Sequence, residues 1–295
     1  MIAIDWGTSS FRAYRLGADG EVAERRAAPL GIMHVEGGRF AQALHEQVGD
    51  WLEAGESRVL MSGMVGSRQG WQEVPYVHTP ASAEAIAAGM VSVPLERGGR
   101  AWIAPGVSTR DEYGVPDVMR GEETQILGVL AALPASGAWV CLPGTHSKWV
   151  YVRERRIERF GTFMTGEVFA VLKGHSILGR MMDDAPVDIA AFDAGLDAGG
   201  GNDLLHRLFG VRARGLFGEL PAQCSGAYLS GLLIGNELAS LPHGVERAFL
   251  LGHSELTRLY RHALQRMGMT VEVLDQDAVV AGLRILNQAW ERVRT

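Results

Sequence analysis

The chain has 295 residues, 47% apolar and 21% charged, with a formal charge of -6; this is the makeup of a folded globular protein large enough for two domains, and it excludes a disordered chain. No apolar run reaches the ~18 residues of a membrane span, no basic segment precedes an apolar one at the amino terminus, and the acidic balance offers no footprint for nucleic acid. Neither a membrane nor a nucleic-acid partner is expected, and the cytoplasm is the expected location. Cys141 and Cys224 are too few and too far apart for a disulfide framework or a zinc site.

In chain order, Met1 to Leu16 predicts a short buried strand, a tight Gly7-Thr8-Ser9-Ser10 turn and a returning strand; a third strand runs over Glu21 to Arg25. Arg58 to Met61 predicts a buried strand opening into a glycine-broken loop, Ser62 to Trp71. Gly121 to Leu133 carries Ile126, Leu127, Leu130 and Leu133 at helical spacing before Pro134, so a helix is expected there and a domain boundary just after it. The expected domains are residues 1–134 and 135–295. A second strand–turn–strand then appears: Trp139 to Leu142, Gly144-Thr145-His146-Ser147-Lys148, and Trp149 to Val152, with Gly144, Thr145 and Ser147 falling on Gly7, Thr8 and Ser10. Further on, Cys224 to Leu241 predicts a helix, Arg247 to Gly252 a buried strand, Ser254 the N-cap of another helix, Val271 to Leu274 a strand and Ala278 to Trp290 a closing helix. Both halves are α/β.

The chain has no G-x-x-x-x-G-K-[ST] loop, no G-x-G-x-x-G after the first strand, no G-x-S-x-G elbow and no H-E-x-x-H helix, which disfavours P-loop, Rossmann, serine-hydrolase and zinc-protease chemistry. What remains is Asp5 at a strand end, followed by the hydroxyl-rich turn Gly7 to Ser10. Glycine lets a backbone approach a phosphate, successive amides form an anion-binding concavity, and a carboxylate such as Asp5 can hold Mg²⁺ through its water. A plain hairpin with a solvated aspartate is the competing reading. The second turn adds Lys148, which with Lys173 makes up the chain's whole lysine content. An ammonium suits phosphoryl oxygens, although a lysine beside Trp149 can equally pack its stem on the ring. A lone histidine such as His146 is more often structural than catalytic.

Together, Asp5 to Leu16, Ser62 to Pro80, Pro105-Gly106-Val107, Met119 to Gln125, the Leu142 to Trp149 hairpin, Tyr228 to Gly235 and the strand ending Leu251-Gly252-His253-Ser254 resemble the 2-dehydro-3-deoxygalactonokinases, sugar-acid kinases of the actin, hexokinase and heat-shock chaperone superfamily. The resemblance implies two ribonuclease H-like, actin-like ATPase domains flanking an ATP cleft. In that scheme the hairpins Gly7-Thr8-Ser9-Ser10 and Gly144-Thr145-His146-Ser147-Lys148 hold ATP phosphates, and Gly252 and His253 pack against adenosine. The superfamily often has a pair of small residues where His253 stands. The implied reaction is Mg-ATP-dependent phosphorylation of 2-dehydro-3-deoxy-D-galactonate at its C6 hydroxyl, yielding ADP.

Phosphoryl transfer of this kind calls for a carboxylate to orient or deprotonate the attacking hydroxyl. Glu122 and Glu123 are the first candidates, at a helix start whose dipole favours acids, followed by Asp5 and, more distantly, Asp183 or Asp184. The sugar acid's carboxylate calls for a cation with polar neighbours, which Ser67, Arg68 and Gln69 supply in one glycine-flanked loop. Arg68 paired with a surface acid is the competing reading. Met164 to Glu167 are candidates for either ligand. The Gly121-Glu122-Glu123 start also resembles the exopolyphosphatase branch, which would activate water; the Gly-Thr-His-Ser-Lys turn argues against that. A non-catalytic sensor would need an added DNA-binding segment, for which the early first strand is expected to leave no room. The sequence leaves the sugar epimer open, and whether the helix over Cys224 to Leu241 serves a core or a homo-oligomer interface.

Overall fold

The computed structural model describes residues 1–201, 203–242, 244–274 and 278–294. The chain forms two compact units. In the first, β1 (Ile2–Trp6), β2 (Phe11–Leu16) and β3 (Val22–Ala28) make an antiparallel meander. Then come α1 (Phe40–Glu53), β4 (Val59–Ser62), β5 (Val77–His78), α2 (Ala83–Ala88), β6 (Val91–Pro94), β7 (Arg100–Ile103), β8 (Val107–Arg110), β9 (Pro116–Met119) and α3 (Glu122–Val129). A six-stranded sheet has the order β3-β2-β1-β4-β7-β6, with β1, β4 and β7 parallel; β5-β8-β9 is a separate small sheet. Ile2, Ala3 and Ile4 are fully buried because β1 lies at the sheet's centre, covered on both faces. Trp6 meets Phe11 edge-on at 5.0 Å in a core shared with Phe40, Leu44 and Trp51.

The second half contains β10 (Ala138–Leu142), β11 (Ser147–Arg153), β12 (Arg156–Phe163), α4 (Thr165–His175), α5 (Ile189–Gly199), α6 (Leu204–Leu216), α7 (Ala222–Ala239), β13 (Arg247–Leu251), α8 (Glu255–Arg266), β14 (Thr270–Leu274) and α9 (Ala278–Arg294). Its sheet runs β12-β11-β10-β13-β14, with β10, β13 and β14 parallel. Third, second, first, fourth, fifth is therefore the strand order in both sheets, with β6 added at the edge of the first. This repeated order is the ribonuclease H-like arrangement, and it explains why a Gly-Thr turn follows the first strand of each half.

The first unit's opening stretch runs four residues past the expected boundary after residue 134, and that unit also takes in residues from the carboxyl end. The first unit comprises residues 1–138 and 150–160 together with α9, and the second runs over 139–149 and 161–274. Helix α9 buries Val279, Val280, Leu283 and Leu286, and packs on α2 and α3. Contact with α3 is backbone to backbone: a Cβ on Gly128 would stand 1.9 Å from the Ala278 carbonyl oxygen, and one on Gly282 1.8 Å from that of Thr124. The predicted helix to Leu133 ends earlier, at Val129, and continues as a tighter turn over Leu130–Ala132. In the second unit α5 and α7 approach just as closely, since a Cβ on Gly195 would lie 2.1 Å from the Tyr228 oxygen and one on Gly231 2.0 Å from that of Phe192.

Candidate active site

In the first unit, the parallel pairing of β1 with β4 sets Asp5 beside Ser62. Gly63 then turns with φ near +99°, so close that a Cβ would lie 2.8 Å from the Trp6 oxygen and 3.4 Å from Asp5 Oδ1. Gly121, with φ near +109°, approaches Gly63 from the start of α3. Left-handed backbone at both positions is what glycine permits. Three chain segments thus converge, and Glu122 and Glu123 follow directly. Glu122 accepts the Arg120 backbone N–H at 3.0 Å, and Glu123 accepts that of Gly121 at 2.6 Å.

The two glutamates differ in environment. Glu123 is fully buried; Thr124 Oγ1 donates to it at 3.1 Å, and Ser62 Oγ lies at 3.4 Å. Burial first, and the charge of Glu122 second, push its carboxyl from 4.5 up to about 8. Glu122 is only partly buried. Burial also raises Asp5, with Arg12, 3.6 Å away, opposing the shift and Glu122 adding to it. Because the folded state holds the Glu123 proton more tightly than the unfolded chain does, the associated stability is complete below the unfolded value and lost as pH rises toward 8. Glu123→Gln removes this loss. Its melting temperature should gain on that of the parent protein between pH 5 and pH 8, by an amount worth on the order of 3 kcal/mol in thermal melts.

The first hairpin closes through the Gly7 N–H on the Ser10 oxygen, 2.9 Å, and exposes Thr8 and Ser9. Gly31 backs it so tightly that a Cβ would fall 2.2 Å from the Thr8 oxygen. In the loop after β4, Arg68 is 86% exposed and pairs with Glu73 at 3.4 Å, and Gln69 is exposed, whereas the buried Ser67 hydroxyl has no hydrogen-bond partner among the described residues. The buried cation of this region is Arg120, for which the sequence patterns suggest no role. Its Nη2 donates to the Val74 oxygen at 2.7 Å, its guanidinium stacks 4.4 Å from the Tyr76 ring centre, and Nε and Nη1 lack partners among the described residues. Only glycine at 66 leaves room for it. The available signal is its position, two residues before Glu122 within the Met119 to Gln125 block.

In the second unit, Gly144 and Thr145 line a cavity of about 550 Å³ with Thr165 and Gly166 from α4, Gly226 and Ser230 from α7, and Leu256 from α8. A Cβ on Gly166 would stand 2.5 Å from the Gly144 oxygen, and the Glu167 N–H donates to the Thr145 oxygen at 2.9 Å. His146 is exposed and hydrogen-bonds Glu167. Ser147 and Lys148 turn inward instead: Ser147 Oγ sits 2.7 Å from the Tyr260 hydroxyl, and Lys148 Nζ donates to Thr162 at 2.7 Å. Gly252, with φ near +123°, and exposed His253 stand outside the cavity lining, to which the same motif contributes Ser254 and Glu255. Asp183 and Lys173 line this cavity, and Asp184 pairs with Lys173 at 2.6 Å; both aspartates belong to the second unit, whereas Asp5, Glu122 and Glu123 cluster in the first. Of the Met164 to Glu167 candidates, Thr165 and Gly166 reach the lining. The cavity face of α7 is not legible in the sequence, where that helix shows only an apolar stripe.

Comparison with known proteins bears on this arrangement. The family described as 2-keto-3-deoxy-galactonokinase matches residues 5–286. The 2-dehydro-3-deoxygalactonokinase of Escherichia coli (strain K12) is 39% identical over 98% of this chain and 97% of its own, and a protein of Rhizobium meliloti (strain 1021) named as a probable 2-dehydro-3-deoxygalactonokinase is 42% identical over 95% and 94%. A crystal structure of a candidate 2-dehydro-3-deoxygalactonokinase from Sinorhizobium meliloti, 38% identical, superposes with a TM-score of 0.90 over 98% of both chains. Among the described residues no helix is long and apolar enough to cross a membrane. With a family match over nearly its whole length and a fold shared with such a kinase, the chain belongs to the 2-keto-3-deoxy-galactonokinase family.

Proposed function

We propose that the protein transfers the γ-phosphoryl group of ATP to the C6 hydroxyl of 2-dehydro-3-deoxy-D-galactonate, releasing ADP and the 6-phosphate. The observation that carries this reading is the family match over residues 5–286, in a chain that has a carboxylate cluster beside one phosphate-type turn and a nucleotide-sized cavity beside another. The cavity takes the nucleotide, with its base against the small residues Gly226, Ala227 and Ser230 and the apolar Leu256 and Leu259. The turns Gly7 to Ser10 and Gly144 to Thr145 offer backbone amides to phosphate oxygens. Ser67, Arg68 and Gln69, backed by buried Arg120, form the acceptor side. Glu122 accepts the proton of the attacking hydroxyl, being the less buried of the two glutamates.

Asp5 suits a magnesium ion held through its water. Burial and like charge hold Asp5 above its ordinary range, a cost that a nearby cation relieves. Among the described residues no three His, Cys, Asp or Glu converge into an all-protein metal site. Magnesium keeps most of its waters and binds through one or two carboxylates and the substrate's phosphates. When bound, such an ion neutralises charge on the phosphoryl oxygens.

The direct test is ADP release from Mg-ATP with the galactonate-derived acid, its gluconate-derived epimer, ordinary hexoses and no acceptor. Turnover that depends on a 2-keto-3-deoxy acid is expected; ADP release without acceptor, or none with any, would overturn the assignment. The nucleotide site has its own test. A Cβ on Gly226 would meet no atom within 4 Å, so a larger side chain projects into open cavity. Gly226→Leu should weaken ADP binding by about 100-fold in calorimetry without lowering the melting temperature, because it removes space that the ligand needs rather than core packing.

A further inference from the structure

Glu237 is a buried carboxylate that the reaction proposed above does not use. It is 2% exposed on α7, within a core that includes Phe192, Leu250 and Leu264. Its protein contacts are donors: Trp149 Nε1 at 2.8 Å on Oε1, the Tyr260 hydroxyl at 2.6 Å on Oε2, and the Thr165 hydroxyl, also on Oε2. The Ser147 hydroxyl joins the cluster through Tyr260. Burial pushes the Glu237 carboxyl up, and these donors pull it back. A carboxylate withdrawn from water is costly unless its oxygens are matched in this way.

The origin of the donors matters more than their number. Thr165 opens α4 and lines the cavity; Ser147 closes the turn whose Gly144 and Thr145 line it as well. Tyr260 belongs to α8, which contributes Leu256 and Leu259, and Glu237 itself belongs to α7, which contributes Gly226 and Ser230. One buried group therefore joins four of the segments that wall the cavity. At the cavity's edge the tolerance is small, since Gly166 fits against the Gly144 oxygen with no room for a Cβ and His146 is tied to Glu167.

We propose that Glu237 is a positioning residue for the nucleotide: by holding Thr165 directly and Ser147 through Tyr260, it sets the spacing between the Gly144–Thr145 turn and the start of α4. It controls nucleotide affinity without touching the nucleotide. The inference rests on the cavity being the nucleotide site, so the experiment must separate the two.

ADP affinity by calorimetry, KM for ATP and for the sugar acid, and melting temperature would be measured for the parent protein, Glu237→Gln, Tyr260→Phe and Gly226→Leu. Glu237→Gln keeps the shape but supplies an amide that clashes with donors, and should weaken ADP binding by about tenfold or more, a size typical of small misplacements in a site. The sugar-acid KM should stay within about twofold, the signature of a displaced nucleotide wall rather than general loosening. Tyr260→Phe removes the hydroxyl that donates to Glu237 and meets Ser147, keeps the Thr165 and Trp149 donors, lies outside the cavity lining, and should give a smaller loss in the same direction. It also keeps the idea testable if Glu237→Gln fails to fold. Unchanged ADP affinity in the folded variants, or an equal rise in both KM values, would overturn the positioning role. If Gly226→Leu binds ADP as the parent does, the nucleotide assignment fails instead.

Discussion

Replacing Asp5 with asparagine is expected to slow turnover about 10³-fold or more while leaving the protein at least as stable as before, the first effect matching what a lost charge-stabilising group costs in enzymes generally. The two halves of this expectation come from one environment. Asp5 stands at the end of β1 against Gly63, with Glu122 near enough to raise its pKa further after burial has already done so. A carboxyl raised in this way contributes stability that is present at low pH and lost as pH rises through its folded value. Asparagine keeps the shape and removes that penalty, so the melting temperature at pH 8 should not fall. Steady-state kinetics and melts on the same preparation check both halves. Turnover within tenfold of the parent would remove Asp5 from the phosphate and metal chemistry.

Glu122→Gln is the second large effect: turnover should fall roughly 10²- to 10⁴-fold, the range for losing a general base. Steady-state rates at saturating ATP and sugar acid check it, and the comparison with Glu123→Gln gives it meaning. Glu123 is sealed from solvent and commits its oxygens to Gly121, Thr124 and Ser62, so amide replacement there should cost far less activity. The reverse ranking would assign the base to Glu123, whose raised carboxyl would then have to be reached through a rearranged loop. Comparable losses at both would point to a pair acting as a unit.

Both hairpins are legible in the sequence because Gly-Thr turns between apolar strands leave few other conformations open. The adjacent glutamates are legible for a related reason: Gly121 ends one segment and acids favour the first turn of the next. What the sequence does not separate is Glu122 from Glu123, since a one-residue step on a helix decides burial and only packing against Ser62 reveals which is inside. Helices α5 and α6 and the small sheet of β5, β8 and β9 are not legible either. In α5 the cause is clear: Gly195 and Gly199 lower its helical propensity, yet they are required by the close approach to α7. Arg68 and Arg120 show the same limit for side chains. Flanking glycines mark the Ser67 to Gln69 loop, but the buried arginine comes from a segment some fifty residues away in sequence, a separation that local patterns do not span.

The packing of α9 on α3 has a consequence for the order of assembly. The first unit contains the last helix of the chain, and Gly128 and Gly282 fit α3 and α9 together with no space for side chains. On a ribosome, the helix that begins with Glu122 and Glu123 would emerge long before the one that covers it, and would wait for the whole second unit to be made. The proposed base is thus seated only when α9 has been synthesised, so a nascent chain cut short anywhere before Ala278 carries Glu122 and Glu123 on a helix without its packing partner.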